Sequence, residues 1–264
     1  MLTLVSRSFG RLAKPFAAVA VILIFFQAAV IGSAASVSSE QGFEMLAKAV
    51  PTFIHEGLGP ALTSFSGMTM LGYFDPVVVL LLVQFAIYVG SEPAGDVESG
   101  LVDLMLARPV PRRLLVGRSL VLVTVVLVVL IACMGAGTYA SLLYFAPAGV
   151  EWPSLGKTLM LMAHLGAISW GFGCIALAAG AAMSRRASAL GLVSLAAVAL
   201  FLVDVLVEMS SRFKSLWWTT PFHYYHGAAL LMGKSNPVRN LLILLGMGVA
   251  GASFAFWRFS HRDI

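Results

Sequence analysis

Side chains able to act as acids, bases or nucleophiles are sparse in this chain and far apart in sequence. His164, His223 and His226 offer imidazoles, Asp75 and Asp204 carboxylates, and Ser66 and Ser188 hydroxyls. An intramembrane serine protease needs a glycine-flanked serine and a histidine at matching depth. No G-x-S-x-G run occurs, and a paired-glutamate protease motif is absent as well. His164 reads as a hydrogen-bonded packing residue. Asp204 is a functional candidate simply as an acid inside an apolar run, but Glu208 four residues later predicts that it snorkels to the interface. The stretch Gly227 to Ser235 ends like a phosphate-binding loop, yet Ala228 stands where the first glycine is required and no buried strand precedes it. Cys133 and Cys174 lie in apolar runs without paired histidine spacing, which predicts small buried hydrophobes and neither a disulfide nor a metal site.

The densest polar chemistry lies elsewhere, in Asp96 to Arg118. Asp96, Glu98 and Asp103 lead, Arg108, Arg112, Arg113 and Arg118 follow, and Pro109 and Pro111 stand between the two signs. Asp96 is placed to cap a helix beginning at Val97, Glu98 to sit at its positive end, and Arg108 near its negative end before Pro109 stops it. On that helix Val97, Leu101, Leu104 and Met105 share one face, and Asp103 points elsewhere. Two readings fit the residues: a contact surface for another protein, or a solvated loop whose arginines only set orientation. On either reading, the arginines after the prolines need no partner.

The elements that hold this island are membrane spans. Hydrophobic residues make up 59% of the chain and charged residues 11%, with a mean hydropathy of +0.93. Soluble domains run to about 45–50% apolar and roughly 25% charged, so the composition is that of an integral membrane protein without a further soluble domain. Apolar runs of about the roughly 20 residues a bilayer requires predict six spans, at about 15–35, 67–90, 119–147, 157–183, 187–207 and 240–257. Residues 1–14 suit either a short amphipathic helix on the membrane surface or a frayed basic tail. Residues 36–66 read as an outer loop with one or two short helices. Asp75 falls in the outer third of span two, where an ionised carboxylate is less costly than at the bilayer centre. Residues 209–238, with Trp217, Trp218 and Tyr224, read as interfacial or re-entrant structure. In span six, the pairs Gly246 with Ala250 and Gly248 with Ala252 allow close helix approach.

Orientation follows from the 17 Lys and Arg residues. With both termini inside, the basic residues divide eleven to six in favour of the inner side, as the positive-inside rule requires. Four of the six on the outer side, Arg212, Lys214, Lys234 and Arg239, precede span six. The net charge of +5 meets lipid headgroups and predicts no nucleic-acid partner.

The run Glu98-Ser99-Gly100-Leu101-Val102-Asp103-Leu104-Met105-Leu106-Ala107-Arg108-Pro109-Val110-Pro111-Arg112 resembles the loop after the second span of the ABC-2 type transporter permease family. The acid before glycine, the second acid three residues after it, and the Arg-Pro-Val step carry the likeness. Leu101 departs from it where the family often has Thr, and Pro111 where it often has Ser. Pro221 to Tyr225 is similar to the family's aromatic segment before the last span, and Arg258 to Ile264 to its basic ending.

The resemblance implies an all-α integral membrane fold, a single permease domain over 1–264 with six spans and both termini cytoplasmic, in the plasma (inner) membrane of a bacterium. It implies export driven by two copies of a separate ATPase subunit, which carry the ATP and Mg, and a second permease copy in a homodimer or heterodimer. No cofactor and no catalytic residue is expected on this chain. The loop 91–118 would dock on the ATPase as a coupling helix through Glu98, Gly100, Leu101, Asp103, Leu104, Met105 and Arg108, with the N-terminal amphipathic helix beside it. An intramembrane enzyme and a non-transporting structural subunit are the alternatives.

Overall fold

Backbone polar groups inside a bilayer have no water to bind, so an apolar run that spans it satisfies them internally as a helix. A computed structural model describes residues 2–37, 64–100, 112–210, 217–233 and 235–261. Among them the structure is helical, with no strand. The helices are α1 (Leu2–Ser36), α2 (Phe65–Phe74), α3 (Pro76–Gly90), α4 (Glu92–Glu98), α5 (Arg112–Phe145), α6 (Leu155–Ala182), α7 (Arg186–Met209), α8 (Gly227–Leu231) and α9 (Pro237–Ser260), with a 3-10 turn at Pro221–Tyr225. Six segments among the described residues are long and apolar enough to cross a membrane: Leu12–Ser36, Phe65–Glu98, Arg113–Phe145, Leu155–Ala182, Arg186–Met209 and Pro237–Ser260. The chain is an all-α, multi-pass membrane protein.

Helix starts follow local capping chemistry. Ser64, Ser154 and Asn236 each accept a hydrogen bond from a backbone N–H three residues on, which satisfies one of the donors a helix start leaves free. The outward and return spans alternate, so two ends of the bundle can be told apart. One gathers residues 91–100, the start of α5, the turn between α6 and α7, and the end of α9. The other gathers the end of α1, the start of α2, the end of α5, residues 217–233 and the start of α9. They are called here the Arg118 end and the His226 end.

Helix α6 is the centre of the bundle. It packs against α9, α3, α5 and α7, and 67% of its apolar window is buried, against 22% for α7 and 28% for α1 and α9. Its glycines let neighbours approach closely. A Cβ on Gly90 of α3 would lie 2.2 Å from the carbonyl oxygen of Gly173, so the two backbones touch there. Of the two small-residue pairs in span six, Gly248 and Ala252 face the interior, and a Cβ on Gly248 would strike the Trp170 ring at 2.3 Å. Gly246 has nothing within reach of a Cβ and Ala250 is exposed. Of the two pairs, Gly248 with Ala252 is the one that makes a close helix approach.

Two expectations change. Residues 2–14 are not a separate surface helix: they are the first turns of α1, which runs unbroken through Pro15. Span two is not one helix either. It breaks at Asp75-Pro76, because Pro76 has no N–H to donate to the Gly72 carbonyl and Val77 N–H turns instead to Asp75 Oδ1 at 2.8 Å. Asp75 is therefore a helix cap, and the break frees the Tyr73 carbonyl. Tyr225 donates its hydroxyl to that carbonyl at 2.5 Å, and Tyr73 in turn shares a 2.8 Å hydrogen bond with Thr138. The segment before span six is thus bolted to the break in span two. The expected loop of 36–66 lies largely outside the described residues.

Candidate functional site

At the Arg118 end, the polar island is a clamp. After α3 the chain turns at Ser91 and re-forms a helix, α4, with Pro93 at its second position, where a missing N–H costs nothing. Asp96 is inside that helix and does not cap one starting at Val97. Its carboxylate is buried and accepts a charge-assisted hydrogen bond from Arg118 Nη2. The same nitrogen lies 3.5 Å from a carboxylate oxygen of Glu92, one turn earlier on α4. Arg118 is 2% exposed, the largest side chain buried so fully among the described residues. The reading that it needs no partner is wrong: two acids on α4 hold it, and the ion pair ties α4 to the start of α5.

Glu98 is likewise displaced from its expected place. It is the last residue of α4, not near a positive helix end of its own. Its carboxylate instead accepts the backbone N–H of Arg186 at 2.9 Å. Helix α7 begins there and has no side-chain cap from its own residue Arg185, so Glu98 caps it from another helix, where an anion meets the positive end of the dipole. The Arg186 side chain returns across α4. It donates to Ser91 Oγ at 3.2 Å and to the Tyr88 carbonyl at 2.9 Å, with its guanidinium 4.5 Å from the Tyr88 ring centre. Gly95 leaves the space for this crossing: a Cβ there would meet Arg186 Cδ at 3.0 Å. Helix α4 ends at Glu98 with Ser99 as its C-cap, and Gly100 takes the left-handed conformation, φ 66°, in which a glycine is free of Cβ strain. Leu101, Asp103, Leu104, Met105 and Arg108 lie outside the described residues.

A second polar cluster occupies the His226 end. Asp204 does not snorkel. It is 8% exposed, one carboxylate oxygen accepts the Thr220 hydroxyl at 2.7 Å, and the other lies 3.8 Å from His226 Nε2. Glu208, a turn later on the same face of α7, is 2.7 Å from that nitrogen. Burial disfavours a charge on His226, but the hydrogen bond it donates to Glu208 and the two carboxylate charges outweigh burial and raise its pKa above the usual histidine value. His223 shifts the other way, held down by burial and by the positive charges of His226 and Arg239. One donor atom from each of Asp204, His223 and His226 lies within 4.8 Å of the others, the spacing of a possible metal-ion site. The two imidazoles border a cavity of about 450 Å³ together with Tyr224, Arg239 and Asn240. The sequence carried a faint signal in the His-x-x-His spacing, but the partner Asp204 comes from a different helix.

The remaining candidates are structural. His164 is 1% exposed, with its ring nitrogens 2.8 Å from the Met160 carbonyl and 3.0 Å from that of Pro237, as a hydrogen-bonded packing residue should be. Cys174 is buried, Cys133 half-buried, and both are free thiols. Among the described residues, the hydrogen bonds of Ser66 and Ser188 include no histidine. Gly227 opens the five-residue α8 and follows a 3-10 turn, not a strand. Comparison with known proteins gives no match to any family model and none to a curated protein.

Proposed function

We propose that this chain is the permease subunit of an ABC-2 type transporter, forming the membrane path for export driven by a separate ATPase. One observation supports this most: the chain on both sides of residues 101–111 is fastened to several spans at once. On the N-terminal side, α4 continues span two, is ion-paired to α5 through Asp96 and Glu92, and caps α7 through Glu98. On the C-terminal side, the segment leads directly into α5. A displacement applied to 101–111 is therefore passed to spans two, three and five together. A solvated loop with no mechanical role has no need of a buried arginine and two buried acids, whose desolvation is costly unless each is paired.

In this reading the Arg118 end and both termini face the cytoplasm of a bacterium, in accord with the excess of basic residues on that side. Two ATPase copies, holding ATP and Mg, dock on the segment through Glu98, Gly100, Leu101, Asp103, Leu104, Met105 and Arg108. A second permease copy completes the path. To test it, the chain is reconstituted with the ATPase encoded by a neighbouring reading frame, and hydrolysis is measured with and without the permease. The double reversal D103K and R108E places opposite charges where the docking surface needs the native ones, and is expected to lower stimulation at least about tenfold while the span helices still form. Unchanged stimulation by a folded variant would contradict docking at this segment.

A further inference from the structure

We propose that Asp204, His223 and His226 bind a divalent late first-row transition-metal ion, with Zn²⁺ the natural occupant, and that Glu208 is positioned to complete the ligand set. The site shares no residue with the Arg118 end, so it stands or falls apart from the docking reading. The donors are two imidazole nitrogens and one or two carboxylate oxygens, with no thiolate. This set suits Zn²⁺ and its neighbours and is too nitrogen-rich for Mg²⁺ or Ca²⁺.

The geometry is close to what such an ion requires. The three donor atoms already lie within 4.8 Å of one another. In a tetrahedral zinc site with bonds near 2.0–2.1 Å, neighbouring donors stand about 3.3 Å apart and two bound imidazole ring centres about 5.2 Å apart. The His223 and His226 ring centres are 5.3 Å apart, inclined at 51°. The Asp204 oxygen, at 3.8 Å from His226 Nε2, closes by a small side-chain rotation, and the Glu208 oxygen, at 2.7 Å, opens by a similar amount. The outer partner is in place too. The Thr220 hydroxyl holds the second oxygen of Asp204 at 2.7 Å and fixes which oxygen faces the histidines, the role that hydrogen-bonding partners play around metal ligands.

Burial and charge point the same way. Asp204 is a nearly buried acid in an apolar helix, where an uncompensated carboxylate is costly, and a cation at this point neutralises it. The cavity of about 450 Å³ bordered by both histidines gives an ion a way in from this end. Asn240, 4% exposed, borders the same cavity with its side-chain oxygen unpaired, ready to bind a water ligand of the ion. Arg239 opposes a cation here, but it is exposed and so screened by solvent. The bound ion would staple the Pro221–Tyr225 turn to α7.

The experiment uses the full chain in lipid nanodiscs, with any histidine tag removed and bound metal stripped by EDTA. Zn²⁺ binding is measured by calorimetry and Co²⁺ binding by its visible spectrum. The expected result is one Zn²⁺ per chain, with tetrahedral Co²⁺ bands. Replacing both histidines (H223Q with H226Q) should weaken binding by at least about 100-fold, beyond the 10–100-fold that outer partners alone contribute. The variant H261Q, at the opposite end, should bind as the native chain does. Equal Zn²⁺ affinity in the native chain and the double variant would overturn the proposal. So would a native Co²⁺ spectrum without tetrahedral bands, a result that needs no variant to fold.

Discussion

Arg118 and Tyr225 show how single side chains set this architecture. Arg118 is buried against two carboxylates, so its removal leaves those acids without their cation. Arg118→Met is expected to destabilise the chain by about 3–5 kcal/mol, the usual cost of breaking one side of a buried ion pair. Thermal unfolding in nanodiscs reads this. A loss no larger than that of an exposed arginine such as Arg113 would show the pair to be energetically idle. Tyr225→Phe removes the donor to the Tyr73 carbonyl at the break in span two. It should cost about 1–3 kcal/mol, the penalty for a buried acceptor left without its donor. Neither partnership was legible beforehand. Asp96 and Arg118 stand 22 residues apart with Pro109 and Pro111 between them, and local rules assigned each a local role. The one local hint was that Arg118 has Leu114, Leu115 and Val116 before it and an apolar run after it, so it lies inside a helix and not at its mouth.

Whole elements were easier to read than their joints. Six apolar runs of spanning length are legible because lipid imposes both composition and length, and the helices Arg113–Phe145, Leu155–Ala182 and Pro237–Ser260 follow from that alone. The joints depend on long-range contacts. Asp75-Pro76 breaks span two, Glu98 caps a helix distant in sequence, and the Pro221–Tyr225 turn packs Phe222 between Phe172 and Phe201, with ring centres 5.3 and 5.4 Å away. This last segment should respond to pH. His226 has a raised pKa, so its contribution is complete below the ordinary value of about 6.5 and is lost as pH rises through the raised one. His223 has a lowered pKa, so its contribution is complete above that value and is lost as pH falls through the lowered one. The groups facing the two rings are Asp204, Glu208 and Arg239. In EDTA, hydrogen-exchange protection of residues 217–233, corrected for intrinsic rates, should therefore peak near about pH 6.5. In Glu208→Gln the alkaline decline should shrink, since the main partner of the His226 charge is gone. Protection that rises steadily with pH would contradict this assignment.

On the scale of the molecule, α6 forms a centre against which α3, α5, α7 and α9 pack, and the two polar clusters lie at opposite ends of it. At the Arg118 end an ion pair joins spans two and three and the Glu98 cap joins span two to span five, and carboxylates and histidines at the His226 end join span five to the segment before span six. Helix α7 takes part in both, since Glu98 caps its start and Asp204 and Glu208 lie near its finish. A force delivered at one end is thus connected by a single rigid element to the other. That connection is what the proposed transporter subunit, worked by an external ATPase, requires, and the proposal depends on the ATPase touching residues 101–111. The most direct test places a photo-crosslinking residue at Leu104 in the purified complex with that ATPase, with a control at Ala148, in the turn at the other end. The account predicts that irradiation joins the ATPase to the Leu104 position and not to the Ala148 position. Crosslinking from Ala148, or none from Leu104 in a complex that stays assembled, would contradict it.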